Sequence, residues 1–524
     1  MNPIKEANKM SNNKTCNWWN KISIATLKNI SFILVLVPLF CVAQTKKTTT
    51  PNNNITLNKK SAPTLQGHAI EISLKPYQNT KVYIGTNYGN NRVLADSAIL
   101  NDKSEGVFAS NKKLTPGIYF VVSPKYAILF DFLVDENQKF KIIADTNNLS
   151  DVTFIGSNDN TIFKNYSKSM NEIGAQLTEI EAGFKTAANK NDSTLLINKY
   201  NDKKKEMNEK RQAIMKGQPN SMTAYLLNVM QRPEAPAIPI INGKADSTYP
   251  FYFVKNHFWD NVVFNDNRLV RTPFFEAKLD EYFKNYVSRD PDSIIEEVQY
   301  MLTVAKTGNE IYPFLLFKFT NKYITPEFMG QDKVFLHIFQ NFFAKGDTVL
   351  LNEASKKSIK ERAYSMMANQ LGLPAPPLLI NDINDKKISL YDISSPYTFV
   401  AFWDPTCSHC KVEIPRVDSF YKAIWSKLNV KILSVNINFK ELTAWKNFIK
   451  ENKLEGWMNA YQTEADLNKE IQQGKPTTIR QLYDVFKTPT FYLLDANKKI
   501  IAKNLSIEQF NDFLVNSNNK KERK

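Results

Sequence analysis

The sequence predicts a multidomain protein with an N-terminal all-β, sandwich-like domain, a central α-helical domain and a C-terminal α/β domain. Three patterns along the 524 residues lead to this prediction. Over 62–158, short apolar or alternating segments are separated by turn residues, which is typical of a small β-sandwich. Over 159–371 apolar residues recur at helical spacing, and over 372–518 strand-like and helix-like segments alternate.

The N-terminal segment has the features of an export signal. Lysines precede an apolar run at 30–40, which is too short for the roughly 20 residues of a membrane-spanning helix. The small residue Ala43 offers a cleavage point, so 1–43 is predicted to be a signal peptide and the protein periplasmic. Lipidation at Cys41 and an uncleaved membrane anchor are the alternatives. The Thr-, Asn- and Lys-rich stretch 44–61 is predicted to be a flexible linker.

The β-rich region contains six recognisable strand segments. Turn signals such as Pro116-Gly117 and Ser123-Pro124 separate them. The predicted strands lie at 69–74, 81–84, 107–108, 118–122, 128–134 and 140–143.

The helical region begins with apolar residues that alternate steps of three and four, the spacing of a helical packing seam. A second helical pattern follows and stops at Gly217, so the two are expected to fold back on each other as a hairpin. Dimerisation through residues 163–214 is the alternative. The seam is formed by Phe163, Tyr166, Met170, Ile173, Leu177, Ile180 and Phe184.

Charge and histidine content exclude several classes of site. The net charge of +16 comes from lysines scattered along the chain, without the basic patch or module of a nucleic-acid-binding protein. None of the four histidines is spaced with another as metal ligands are, and no nucleotide-binding motif occurs. We therefore expect no nucleic-acid partner, no metal and no cofactor.

One short segment specifies a chemistry. The apolar strand 399–403 runs through a turn into Cys407 and Cys410, with a helical pattern behind them. A cysteine at the first turn of a helix faces unpaired N–H groups and the positive end of the helix dipole, and both favour the thiolate. Cys407 is therefore the predicted nucleophile and Cys410 the resolving thiol. Cys16 and Cys41 lie in the signal segment, so no structural disulfide framework remains.

This segment resembles the thioredoxin superfamily, and within it the extracytoplasmic thiol-disulfide oxidoreductases of the TlpA/ResA kind. Phe402 and Trp403 before the CxxC pair carry the resemblance, together with Pro415, where the helix of that family is kinked. The family implies a thioredoxin fold for 372–518, with 519–524 as a basic tail. Glu413 matches an acidic residue of TlpA-like members. Because Ala401 replaces the buried aspartate of cytoplasmic thioredoxins, Glu413 is the candidate for assisting the resolving cysteine.

A second segment extends the resemblance. Residues 483–495 match the cis-proline loop of the family, with Thr488 and Pro489 facing the cysteines and the Thr488 backbone free to pair with a substrate strand. Trp403 and His409 join Thr488 as predicted substrate-binding residues. The β-rich and helical regions resemble domains of unknown function that precede thioredoxin modules in secreted bacterial proteins.

The predicted function is thiol-disulfide exchange with exported client proteins, most simply as a reductant that a membrane thiol carrier supplies with electrons. His409 beside Cys407 argues for an oxidant, because a positive imidazole stabilises the thiolate, whereas Glu413 and the domain layout resemble reductants. A redox-inactive binding protein and a thiol peroxidase are the alternatives. A peroxidase would need a threonine three residues before its cysteine, but Thr406 is adjacent to Cys407.

Overall fold

A computed structural model of the chain describes residues 67–187, 190–241, 243–348, 351–472 and 478–522. The predicted signal peptide 1–43 and linker 44–61 lie outside these ranges. None of the helices within them is long and apolar enough to cross a membrane.

The N-terminal domain consists of two four-stranded sheets, which confirms the predicted sandwich. Their strand orders are β4-β1-β7-β8 and β3-β2-β5-β6. Residues of β1 alternate between buried and accessible, and Ile70, Ile72 and Leu74 enter the core between the sheets. The strands are β1 (His68–Lys75), β2 (Lys81–Tyr88), β3 (Asn91–Ile99), β4 (Glu105–Ser110), β5 (Gly117–Val122), β6 (Ile128–Val134), β7 (Lys139–Asp145) and β8 (Thr153–Ile155).

Two of these strands were not predicted, β3 and β8. Both lie at the edge of a sheet, and most of their residues are accessible. An edge strand with little buried surface has little need for apolar alternation, so its sequence carries a weak strand signal.

The first three helices are α1 (Asn158–Gly183), α2 (Lys190–Gly217) and α3 (Met222–Met230). Tyr166, Met170, Ile173 and Leu177 of the predicted seam on α1 form a buried cluster with Met207 of α2 and Leu227 of α3, so this part of the seam is covered by the same chain. Dimerisation through 163–214 stays a prediction. The buried Asn160 side chain fixes α1 to the sandwich, because it bonds both the N–H and the carbonyl of Leu133 at 2.7 and 2.8 Å.

Six further helices and a short hairpin, β9 (Ile240–Ile241) with β10 (Lys244–Ala245), complete the helical region. Asp290 caps one helix as its Asp-Pro sequence predicts, by accepting hydrogen bonds from the N–H groups of Asp292 and Ser293. The helices are α4 (Tyr249–His257), α5 (Phe275–Asn285), α6 (Pro291–Ala305), α7 (Ile311–Ile324), α8 (Asp332–Asn341) and α9 (Glu353–Met367).

The chain divides into two units that do not coincide with the three predicted domains. The first contains the sandwich and the helices up to residue 233, with 259–262 and 268–276. The second contains the rest of the helical region and the whole C-terminal domain. The helices predicted as one domain over 159–371 are thus shared between the two units.

The C-terminal domain is a mixed seven-stranded sheet in the order β12-β11-β15-β14-β13-β16-β17, which confirms the predicted α/β fold. The strands are β11 (Leu379–Asp382), β12 (Lys387–Ser389), β13 (Tyr397–Trp403), β14 (Val430–Asn436), β15 (Met458–Tyr461), β16 (Thr490–Asp495) and β17 (Ile500–Lys503). The helices are α10 (Ser408–Ala423), α11 (Leu442–Glu451), α12 (Glu464–Gln472), α13 (Ile479–Leu482) and α14 (Ile507–Glu522). Since no glycine or proline interrupts it, α14 continues past residue 518, where the basic tail was predicted.

The central strand β13 is buried along its whole length, from Tyr397 to Trp403. It pairs in parallel with β14 and antiparallel with β16. Phe399 and Trp403 face a core that includes α10, whereas Val400 and Phe402 face a second core on the other side of the sheet. A strand that is buried on both faces has a continuous run of apolar residues, and residues 399–403 show this pattern in the sequence.

A buried ionic cluster joins the helical region of the second unit to its α/β domain. Lys503 of β17 is 3% exposed, and its Nζ lies 2.6 Å from Asp332 of α8. The ammonium group also donates to the main-chain and side-chain oxygens of Asn369, at 2.7 and 2.8 Å. Burial lowers the pKa of Lys503, and Asp332 opposes this effect. Removing either Lys503 or Asp332 would therefore leave the other charge buried without a counter-ion, which costs free energy of folding.

We expect Lys503→Met to lower the free energy of unfolding of the second unit by about 3–5 kcal/mol, because it leaves the Asp332 carboxylate buried without its counter-ion. Calorimetry of the full chain measures the melting transition. A matched control is Lys333→Met, which breaks an ion pair with Asp292 whose side chains are 54% and 66% exposed. Its effect should stay within about 1 kcal/mol. Equal melting temperatures for the two variants would contradict the assignment.

Candidate functional site

Cys407 lies where the central strand passes into a helix. β13 ends at Trp403, and Cys407 is the N-cap residue of α10. The turn between them is held by Asp404, whose Oδ1 accepts from the N–H and the hydroxyl of Thr406 at 2.8 and 2.7 Å. The Cys407 N–H donates to the Asp404 carbonyl at 3.2 Å. The main chain around the thiol is therefore fixed before any partner binds.

Two asparagines at the end of β14 support this turn. Asn438 Nδ2 donates to the second carboxylate oxygen of Asp404 at 3.0 Å. Asn436 is 1% exposed, and its side chain both donates to the Asn438 carbonyl and accepts from the Asn438 N–H. The sequence predicts no role for these two residues. The only signal was two asparagines at the end of an apolar strand, which also fits an ordinary turn.

The two cysteines are free thiols in unequal environments. Cys407 is partly accessible, whereas Cys410 is fully buried. For Cys407, partial burial would raise the pKa, but hydrogen bonds from the Thr488 side chain, from the thiol and N–H of Cys410 and from the His409 N–H hold the pKa below its ordinary value. Burial raises the pKa of Cys410 to about 12. Of the two thiols, Cys407 therefore ionises more readily.

The predicted loop faces the nucleophile. The thiol of Cys407 donates to the carbonyl of Thr488 at 3.5 Å, across 81 positions of sequence. The Thr488–Pro489 peptide bond is cis. Phe402 of β13 pairs with Thr490 of β16, so the central sheet carries both the CxxC turn and the Thr488 loop. The two segments singled out in the sequence therefore meet.

Glu413 lies on α10, one turn beyond Cys410, but its carboxylate is occupied. Its Oε1 accepts from Arg416 at 2.5 Å, and Arg416 also pairs with Glu508 of α14. The Glu413 side chain is 23% exposed. A role in moving the proton of Cys410 stays a prediction, and it requires Glu413 to leave Arg416.

The substrate-contacting role predicted for Trp403 is not compatible with its position. The side chain is 0% exposed, its Nε1 donates to Ser434 Oγ at 2.8 Å, and its ring packs on Phe448. Because its whole indole lies inside the core, Trp403 has no surface that a partner could contact. His409 is exposed beside Cys407, as its predicted contact with a substrate requires.

Within the described ranges, no group of three or more His, Cys, Asp or Glu side chains is arranged to hold a metal ion. The chemistry that the geometry supports is thiol-disulfide exchange. An accessible thiolate can attack a disulfide sulfur, and a shielded thiol one helical turn away can then attack the mixed disulfide.

Two family descriptions match the chain. Residues 371–503 match the AhpC/TSA family, and residues 200–369 match a domain of unknown function, DUF5106. The second match covers much of the helical region, including α9.

Known proteins with similar sequences are thiol-disulfide oxidoreductases. The chain is 30% identical over 134 residues to the thiol-disulfide oxidoreductase ResA of Bacillus cereus, which is 26% of this chain and 69% of that protein. It is 28% identical over 148 residues to ResA of Bacillus subtilis, which is 28% of this chain and 69% of that protein.

Solved structures include two with similar regions. A thioredoxin-like protein from Bacteroides caccae is matched over 99% of its length and 55% of this chain, with 20% identity and a TM-score of 0.43. A domain of a possible thiol-disulfide isomerase from Cytophaga hutchinsonii is matched over 97% of its length and 29% of this chain, with 32% identity and a TM-score of 0.26.

The AhpC/TSA match covers the part of the C-terminal domain that carries both cysteines and the Thr488 loop. The chain therefore belongs to the family of thioredoxin-like thiol-disulfide oxidoreductases that includes ResA.

Proposed function

We propose that this protein reduces disulfides of exported client proteins in the periplasm through Cys407 and Cys410. The observation that carries the proposal is the difference between the two thiols. The Cys407 thiol is partly accessible, has a lowered pKa and faces Thr488, whereas Cys410 is buried with a pKa raised to about 12. One thiol is suited to attack a partner and the other to release it.

The exchange proceeds in two steps. The Cys407 thiolate attacks one sulfur of a client disulfide, forms a mixed disulfide and releases the other client sulfur as a thiolate. Cys410 then loses its proton and attacks Cys407. This second step forms the Cys407–Cys410 disulfide and releases the second client thiolate, so the client gains two electrons and, once protonated, two thiols. A membrane thiol carrier is the proposed source of the electrons that reduce the pair again.

The reductant direction is supported by the exposure of His409. A positive imidazole near Cys407 would stabilise the thiolate and thereby the reduced protein, which makes an oxidant. An exposed charge is screened by water and salt, so this stabilisation is weak.

Replacing Cys410 with serine should trap the client. Since the second step needs the Cys410 sulfur, the Cys410→Ser chain should keep its client as a mixed disulfide on Cys407. Non-reducing gels and mass spectrometry of the periplasmic fraction would detect the adduct. Cys407→Ser is the matched control and should trap nothing, although it also keeps one thiol. Absence of any adduct, together with failure of the wild-type chain to reduce insulin in the presence of dithiothreitol, would favour the redox-inactive alternative.

Alkylation of the reduced protein should follow the two pKa shifts. Because the pKa of Cys407 is lowered, its reaction with iodoacetamide should rise with pH and level off at a midpoint below about 8.5, the value of a free cysteine. Cys410 should stay unreactive until the pH approaches about 12. Mass spectrometry after quenching separates the two sites, and alkylation in denaturant supplies the unperturbed reference. A Cys407 midpoint at or above the free value would contradict the site geometry.

The reduction potential tests the direction. For a reductant we expect a value near that of thioredoxin, about −270 mV, measured by equilibration with dithiothreitol mixtures and alkylation of the remaining thiols. His409→Ala should move it by less than about 30 mV, the equivalent of a tenfold change for two electrons. A potential at or above the glutathione range of about −220 to −260 mV would show that the protein is not a reductant.

A further inference from the structure

The loop that faces Cys407 is held from outside the α/β domain. Asp484, four residues before Thr488, forms an ion pair with Arg362, a residue of α9 in the helical region. Both side chains are only 14% exposed. Arg362 lies inside the region that matches DUF5106, and Asp484 lies inside the region that matches the AhpC/TSA family.

Arg362 contacts the loop at a second point. Its guanidinium carbon lies 5.0 Å from the centre of the Phe486 ring, within the range of a cation–π contact. Its Nε donates to the carbonyl of Ile324, the last residue of α7, at 3.2 Å. One side chain therefore connects the end of α7, the body of α9 and two residues of the loop. Phe486 itself is 75% exposed, so Arg362 covers part of a ring that otherwise faces solvent.

The loop needs such support because its backbone is unfavourable. Asp484 has a φ of 47°, a left-handed conformation that is uncommon for residues other than glycine. Short hydrogen-bonded turns surround it, with the Val485 N–H donating to the Arg480 carbonyl at 2.7 Å and the Phe486 N–H to the Asp484 carbonyl at 2.8 Å. A conformation of this kind persists where neighbouring contacts stabilise it. From Phe486 only Lys487 intervenes before Thr488, whose carbonyl accepts from Cys407.

We propose that Arg362 is a positioning residue for disulfide exchange, through which the helical region sets the position of the Thr488 loop against Cys407. This gives the region of unknown function a direct part in the reaction with protein disulfides. The inference rests on the exchange proposed above, and insulin reduction by the wild-type chain tests that exchange by itself.

The proposal predicts a selective defect in Arg362→Met. A displaced loop removes a binding strand for protein disulfides and also the Thr488 side chain, whose hydrogen bond lowers the pKa of Cys407. We expect kcat/KM for insulin reduction to fall about tenfold, mainly through KM, and the pH midpoint of Cys407 alkylation to rise towards that of a free cysteine. The reaction with a small aromatic disulfide at a pH above both midpoints should change by less than about twofold, since it makes no use of the loop.

Three further single variants of the full chain and one double variant define the outcome. Asp484→Asn keeps a residue that tolerates the left-handed conformation while it removes the charge, and combined with Arg362→Met it should add little, because both break one contact. Arg362→Lys should restore activity in part, since a lysine keeps the charge but loses the planar fork. Lys318→Met breaks an ion pair with Asp280 inside the helical region and should leave kinetics and alkylation unchanged.

Two results would overturn the proposal. One is wild-type insulin kinetics and a wild-type alkylation profile in both Arg362→Met and Asp484→Asn. The other is an equal loss of reaction with insulin and with the small disulfide, together with a lowered melting temperature, in both variants. That pattern would assign Arg362 to stability alone.

Discussion

Burial of β13 on both faces is the constraint on which the site depends. Because Trp403 ends the strand inside the core, the chain must turn at once, and Asp404 supplies the turn that starts α10 at Cys407. The helix then carries Cys410 back into the core, where Ile414 and Val417 also lie. The two thiols, which are three positions apart, therefore differ in solvent accessibility. The difference between their pKa values therefore follows from the direction in which the chain leaves the buried strand β13.

The interface between the helical region and the α/β domain rests on charged groups that are largely out of water. Lys503 and Asp332 are almost completely buried, and Arg362 and Asp484 nearly so. Such pairs add little net stability compared with apolar residues of the same size, but they penalise any arrangement in which one partner is missing. They therefore disfavour arrangements of the two parts in which these pairs are broken, and the Thr488 loop lies next to this interface.

The sequence predicted the parts of the fold whose burial leaves a pattern. The continuous apolar run of β13 and the three-and-four spacing on α1 are such patterns, and both elements appear in the structure. The CxxC pair was also predicted, since a cysteine at the start of a helix is tied to a chemistry, and the Thr488-Pro489 segment was predicted from its resemblance to the cis-proline loop of the thioredoxin superfamily. Edge strands β3 and β8 were missed because few of their residues are buried. The buried position of Trp403 was missed because a sequence shows that an aromatic residue ends a strand but not how far the neighbouring helix covers it.

Contacts between distant polar residues could not be predicted at all. Arg362 and Asp484 are 122 positions apart, and Lys503 and Asp332 are 171 apart. In the sequence each is one more charged residue in a chain that contains 120 of them. No periodicity marks such a pair, since its partners are brought together only when both domains are complete.

The buried Lys503 also bears on how this architecture can change by recombination. A thioredoxin-like domain transferred alone would carry Lys503 and Asp484 away from Asp332 and Arg362, and a helical region transferred alone would carry the opposite charges. Each fragment would then place an unmatched ion at a surface shaped to be covered. We therefore expect neither of these two segments of the chain to keep its full stability when the other is removed.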